Sequence, residues 1–248
     1  MKKIISTIFA ATLSLLAASS ANAALYTASY GTQLATASNC DDCSEGAFSL
    51  GALQTISFFG ATYSGLYVGS NGYVTFGGGS SNYTTAPLNT QTVARMIAGY
   101  YTDLDSRSDA LSNVYINTTN TGELIATWEM MGHYSTNYGV RSTFQLVIRS
   151  DQFAVPGGQG QIGFFYGNMT DGSAGSAGFG DGLAAINPGE EAFASNAPGT
   201  SLSNNAPRWF LLNNLGEPVP QGVPEPTSIA LLGLALAGLA ASRRRKSA

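Results

Sequence analysis

The chain runs to 248 residues with 11 basic and 15 acidic side chains and one histidine, for a formal net charge of −4. Six of the basic residues (Lys2, Lys3, Arg243, Arg244, Arg245 and Lys246) sit at the two ends, so residues 24–222 hold five arginines, no lysine and fourteen carboxylates, a charge of −9. That imbalance excludes binding of nucleic acid or another polyanion through a basic patch.

At the N-terminus Lys2 and Lys3 precede an apolar run over 4–18 and the small-x-small triplet Ala21-Asn22-Ala23. This is the build of a secretory signal peptide over 1–23, with Ala24 opening the mature chain, and the run is too short for a membrane-spanning helix. The chain is therefore expected to leave the cytoplasm. About 199 residues remain between the two terminal segments. That length suits one β-rich domain, placed at 24–217.

Cys40-Asp41-Asp42-Cys43 contains the only two cysteines. In an exported chain an isolated pair predicts a disulfide, here closing a very small loop. Redox chemistry needs a thiolate stabilised by positive charge, and two aspartates between the sulfurs oppose it. Zinc would need two further ligands, which a single histidine does not supply.

Period-two alternation dominates the rest. In chain order the predicted strands are 55–59, 64–68, 73–76, 96–101, 114–117, 123–130, 143–149, 161–166 and 208–212. Leu124, Ala126, Trp128 and Met130 share one face of the sixth, and Phe144, Leu146 and Ile148 one face of the seventh. Asn71-Gly72, Asn120-Thr121-Gly122 and Pro156-Gly157-Gly158 supply turns, because Gly and Asn accept positive φ. Small polar residues fill 77–92 and 171–205, which read as long surface loops with room for a short helix, and 218–226 reads as a Pro-rich linker. Strands at this spacing predict an all-β fold, mainly an antiparallel sandwich or barrel-like domain with long loops.

Several of these segments carry a family resemblance. Leu66-Tyr-Val-Gly-Ser-Asn-Gly-Tyr-Val-Thr-Phe76 is similar to the opening of the NIDO domain, an extracellular module first described in nidogen. In order there follow Asp103-Leu-Asp105-Ser-Arg107, resembling that family's Asp-x-Asp-x-Arg segment; Thr127-Trp128; Phe144-Gln145; the aromatic strand Gly163-Phe-Phe-Tyr166; and Gly178-Phe179-Gly180-Asp181-Gly182. The resemblance covers about 63–212. It departs before the acidic pair, where Gly99-Tyr100-Tyr101 replaces the family's proline and large aromatic, and residues 24–62 match nothing recognisable. It implies a secreted structural or adhesive module without enzymatic activity.

Asp103 and Asp105 lie two apart and would share a face of a strand, in reach of a hard cation or of Arg107. They are weak Ca²⁺ candidates: the Asp-x-Asp-x-Asp-Gly loop with its later Glu is missing, and Arg107 on the same face favours a salt bridge. His133 stands without a nucleophile elbow, a zinc helix or a phosphate loop around it, and reads as a loop or strand-end residue. Glu123 and Glu129 lie roughly 20 Å apart along one strand, too far for either class of glycosidase. No catalytic set and no cofactor is expected. Tyr63, Tyr67, Tyr73, Tyr83, Tyr100, Tyr101, Tyr134 and Tyr138 form an aromatic-rich set. Half or more are expected in the core or on sheet faces, while amphipathic rings at a surface stack on sugars.

The C-terminus has three parts in order: Val223-Pro224-Glu225-Pro226, an apolar run from Ile229, and the cluster Arg243, Arg244, Arg245, Lys246. Prolines keep the chain extended, the apolar run inserts, and the basic cluster holds the tail on the cytoplasmic side. A helix over 227–242 spans roughly 24 Å, short of the ~30 Å hydrocarbon core, which suits a transient anchor. The arrangement resembles the PEP-CTERM sorting signal of Gram-negative bacteria, processed by exosortase, an integral-membrane transpeptidase, in systems that accompany exopolysaccharide production. The resemblance implies a membrane-held precursor with a transmembrane sorting helix and basic tail at 227–248. It also implies export through the inner membrane to the cell surface or extracellular matrix. The function expected is a structural or adhesive matrix protein whose partners are extracellular polysaccharide or other matrix proteins. A non-catalytic carbohydrate-binding module is the alternative, and a secreted hydrolase a more distant one.

Overall fold

The computed structural model describes residues 24–185, 187–203 and 206–221. The signal peptide, the Val223–Pro226 motif and the sorting helix expected from the sequence lie outside the described residues. In chain order the strands are β1 (Thr32–Gln33), β2 (Ser44–Ser49), β3 (Ile56–Phe58), β4 (Ala61–Tyr63), β5 (Gly65–Gly69), β6 (Tyr73–Thr75), β7 (Met96–Tyr101), β8 (Leu104–Asp105), β9 (Asn113–Asn117), β10 (Glu123–His133), β11 (Asn137–Arg149), β12 (Ile162–Met169), β13 (Ala174–Gly180), β14 (Glu191–Pro198), β15 (Arg208–Leu212) and β16 (Pro218–Pro220).

Alternation along strands such as β5 and β9 leaves one buried apolar face, and the two sheets bury such faces against each other. One sheet runs β1-β9-β10-β11-β12-β15-β16, with β8 beside β10; the other runs β14-β13-β7-β6-β5-β2; β3 and β4 form a separate hairpin. All the ladders are antiparallel. The fold is all-β, as the alternation predicts. Among the described residues no helix is long and apolar enough to cross a membrane.

The core between the sheets joins Leu124, Ala126, Trp128, Phe144, Leu146 and Phe164 of the first to Leu66, Val68, Val74, Ile97 and Phe179 of the second. Two aromatic side chains also bond across it: Trp128 Nε1 donates to Gly69 O at 2.9 Å and Tyr166 Oη to Gly99 O at 2.8 Å. Their polar atoms are thereby satisfied where water is excluded. Trp128 stacks on Phe144 with ring centroids 5.0 Å apart.

Both outer faces are partly roofed. Residues 77–92, expected as a loop with a short helix, carry a 3-10 turn whose Leu88 packs on Tyr73, Met96, Ala98 and Tyr101. On the opposite sheet Tyr26 and Trp209 cover Ile125, Val147 and Phe165. There Gln145 holds the backbone of Thr27 through two hydrogen bonds, 3.1 and 2.9 Å long.

Three expectations need correction. Residues 171–205 are not one long loop, because they hold β13 and β14. Residues 218–220 are not linker but the edge strand β16, paired with β15. Met130 does not share the face of Trp128: a bulge between Trp128 and Met131 gives Met130 a φ of 49° and turns Met131 into the core instead. Residues 24–62 supply β1 to β3, and Ile56 and Phe58 join the core.

Candidate functional site: an acidic corner under the disulfide

Three connections meet at one end of the sandwich: the Cys40–Cys43 loop, the β5–β6 turn and the β7–β8 link. Cys40 and Cys43 are joined by a disulfide with Cα atoms 6.0 Å apart. The loop is held from both sides by serine hydroxyls. Ser106 Oγ donates to Cys40 O at 2.8 Å and accepts from Cys40 N at 3.0 Å. Ser70 Oγ accepts from Cys43 N at 3.0 Å and donates to Asp41 O. Asn71, 1 % exposed, ties the three connections together: its Nδ2 donates to Asp42 Oδ1 at 2.8 Å and its Oδ1 accepts from Leu104 N at 2.8 Å.

Asp103 and Asp105 part company here. Asp105, fully buried, receives Arg107 Nε on Oδ1 at 3.0 Å and Nη2 on Oδ2 at 2.7 Å, plus the amides of Arg107 and Thr136. Burial alone would raise its pKa; the hydrogen bonds from Arg107 and Thr136 overcome that and hold the carboxyl below its ordinary value. Arg107 Nη2 also reaches Asp41 Oδ2 at 2.8 Å. Asp103 turns instead toward Asp41 and Asp42, with carboxylate oxygens of the three all within 4.8 Å of one another. Burial first, then repulsion from Asp41 and Asp42, pushes the Asp103 pKa up to about 6. Asp103 Oδ1 and Asp41 Oδ1 are buried without hydrogen-bond partners.

Asp41, Asp42 and Asp103 are thus the side chains able to offer oxygens to a hard divalent cation, while Asp105 is committed to Arg107. Alternation along the strand put Asp103 and Asp105 on one face, but two-residue β8 begins after Asp103. Asp41 and Asp42 carried one signal in the sequence, two carboxylates inside a four-residue disulfide loop. His133, at the end of β10, places Nδ1 3.1 Å from Oδ2 of buried Asp171. Contact with Asp171 raises its pKa, and burial opposes the rise.

The other side chains singled out by the sequence are dispersed. Glu123 is buried against Arg149, with Oε2 2.7 Å from Nε. Tyr73, Tyr100 and Tyr101 are core residues, Tyr63, Tyr67 and Tyr138 are half-buried, and Tyr83 and Tyr134 are exposed. The sorting residues Val223, Pro224, Glu225, Pro226, Arg243, Arg244, Arg245 and Lys246 lie outside the described residues.

An antiparallel two-sheet sandwich with a disulfide-pinned acidic corner defines an all-β module. The model of the NIDO-related family matches residues 17–209, and the chain belongs to that family. The match starts far before the 63–212 expected, so residues 24–62, unplaced by motif, are part of the family unit. The PEP-CTERM protein-sorting motif matches residues 222–246. That motif implies export, exosortase-dependent processing and a cell-surface or extracellular location. No curated protein and no solved structure matches the chain.

Proposed function

We propose that the chain is a structural or adhesive component of the extracellular polysaccharide matrix of a Gram-negative bacterium, acting without catalysis. The observation that carries this reading is the join between module and signal. β16 ends at Pro220, Gln221 N still donates to Trp209 O at 2.8 Å, and the sorting motif begins at residue 222. No further domain separates them, so the sandwich is itself the delivered cargo. Its ion pairs support a non-catalytic role. Asp105 is held by Arg107, Asp109 by Arg141, Glu123 by Arg149 and Asp171 by His133, which leaves these carboxylates engaged in the fold rather than free for acid–base work.

Fractionation of producing cells tests the reading. The processed chain should be found with the cell surface and matrix, and purified chain should release no sugar from matrix polysaccharide. A chain recovered only in the cytoplasm or free in the medium, or one that depolymerises the matrix, would overturn it.

A further inference from the structure

We propose that the cleft between Tyr63 and Tyr67 is a binding subsite for a neutral sugar ring, an inference that deepens the matrix reading and rests on it. A cavity of about 420 Å³ opens beside β2, β4 and β5, within the range of small-molecule sites. Tyr63 and Tyr67 line it together with Ser49, Thr62 and Ser64, and small residues complete the wall.

Tyr67 carries the argument. On β5 the neighbours Leu66 and Val68 are fully buried in the core, so alternation turns Tyr67 to the opposite face. Among the described residues its ring packs on no other aromatic ring and its hydroxyl makes no hydrogen bond. The hydroxyls of Tyr73, Tyr100, Tyr101 and Tyr166, by contrast, all donate to backbone carbonyls. Gly46 and Gly79 make room for it, since a Cβ would come within 2.9 Å and 3.3 Å of its Cδ1. Tyr63 is the fixed wall: its ring lies 5.1 Å from Phe76 and its hydroxyl accepts from Arg95 Nη1 at 3.2 Å.

The lining chooses the ligand class. A sugar ring presents a C–H face, which stacks on tyrosine, and a rim of hydroxyls, which pair with serine, threonine and the Tyr67 hydroxyl. None of the described residues lining the cleft is charged, and the domain around it is strongly acidic, so a neutral sugar is favoured over a uronate.

The test is calorimetric titration of the processed chain, recovered from producing cells, with cellohexaose and dextran as neutral probes and polygalacturonate as the anionic one. At least one neutral probe should bind and polygalacturonate should not. Tyr67→Ala should weaken binding about tenfold or more, and Tyr67→Phe, which keeps the ring, should lose less. Ser64→Arg, at an exposed position, should fill the cleft and weaken binding with an unchanged Tm, which guards against a Tyr67→Ala chain that fails to fold. Absence of binding to both neutral probes, indifference to Ser64→Arg, or preference for polygalacturonate would overturn the subsite. If binding fails while the chain still lies in the surface and matrix fraction, the subsite alone falls. A chain missing from that fraction overturns the matrix reading instead.

Discussion

Asp103 is the residue at which the fold works against itself. Its carboxyl titrates at about 6 in the folded chain against an ordinary 3.8, because burial and two neighbouring aspartates disfavour the charge. The folded state therefore binds this proton more tightly than the unfolded state, and the stability so gained is present below the ordinary pKa and lost as pH rises to about 6. Asp103→Asn removes the repulsion. In chelator it should raise Tm by a few degrees near neutral pH, and the gain should vanish below about pH 4. A lower Tm for the variant under those conditions would show that the negative charge is needed by the fold. Millimolar Ca²⁺ that raises the Tm of the natural chain and not of the variant would make Asp103 a ligand. The neighbouring disulfide should matter less than its position suggests. It closes a four-residue loop, so replacing Cys40 and Cys43 by serine should cost about 2 kcal/mol in the chain-entropy account, measured by denaturant titration. Ser70, Ser106 and Asn71 would still pin the loop. A loss of cooperative unfolding would contradict this.

At the scale of elements, what the sequence conceals is strand formed by small residues. β7 and β15 were legible to the residue because their apolar side chains alternate or cluster between turn signals. β13, read as loop, is Ala-Gly-Ser-Ala-Gly-Phe-Gly, a composition with low intrinsic strand preference. Packing explains the choice. A Cβ on Gly175 would lie 2.2 Å from the Tyr100 ring, and one on Gly178, whose φ is 141°, would lie 1.8 Å from Glu191 O. The strand is glycine-rich because tyrosine on one side and backbone on the other leave no volume, which a single sequence does not reveal. Gly178→Ala should therefore cost more than ~1 kcal/mol, and should loosen the β13–β14 ladder before the rest of the sheet in hydrogen exchange. Equal stability with unchanged exchange would remove this account. The acidic corner was half legible for the same reason. Spacing along the chain brought Asp103 and Arg107 into view, but only the meeting of three distant connections joins Asp41 and Asp42 to Asp103.

At the scale of the molecule, the last strand among the described residues lies directly before the sorting signal, and it is built for that position. Gln221 N–H points inward to Trp209 O, so alternation turns positions 218 and 220 toward the open edge of the sheet, and both are proline. An edge without those two N–H donors is a poor template for pairing with another chain. Immediately beyond, Pro224-Glu225-Pro226 falls within the residues matched by the PEP-CTERM protein-sorting motif. The match takes in the short apolar run and Arg243 to Lys246, the basic cluster expected to hold the precursor until exosortase processes it. Replacing Pro224-Glu225-Pro226 by three alanines should therefore leave the sandwich folded, with unchanged Tm, and strand the full-length chain in the inner membrane. Mass spectrometry decides the matter: surface material from the unmodified strain should lack peptides from 231–246, and their presence would make the tail a permanent anchor.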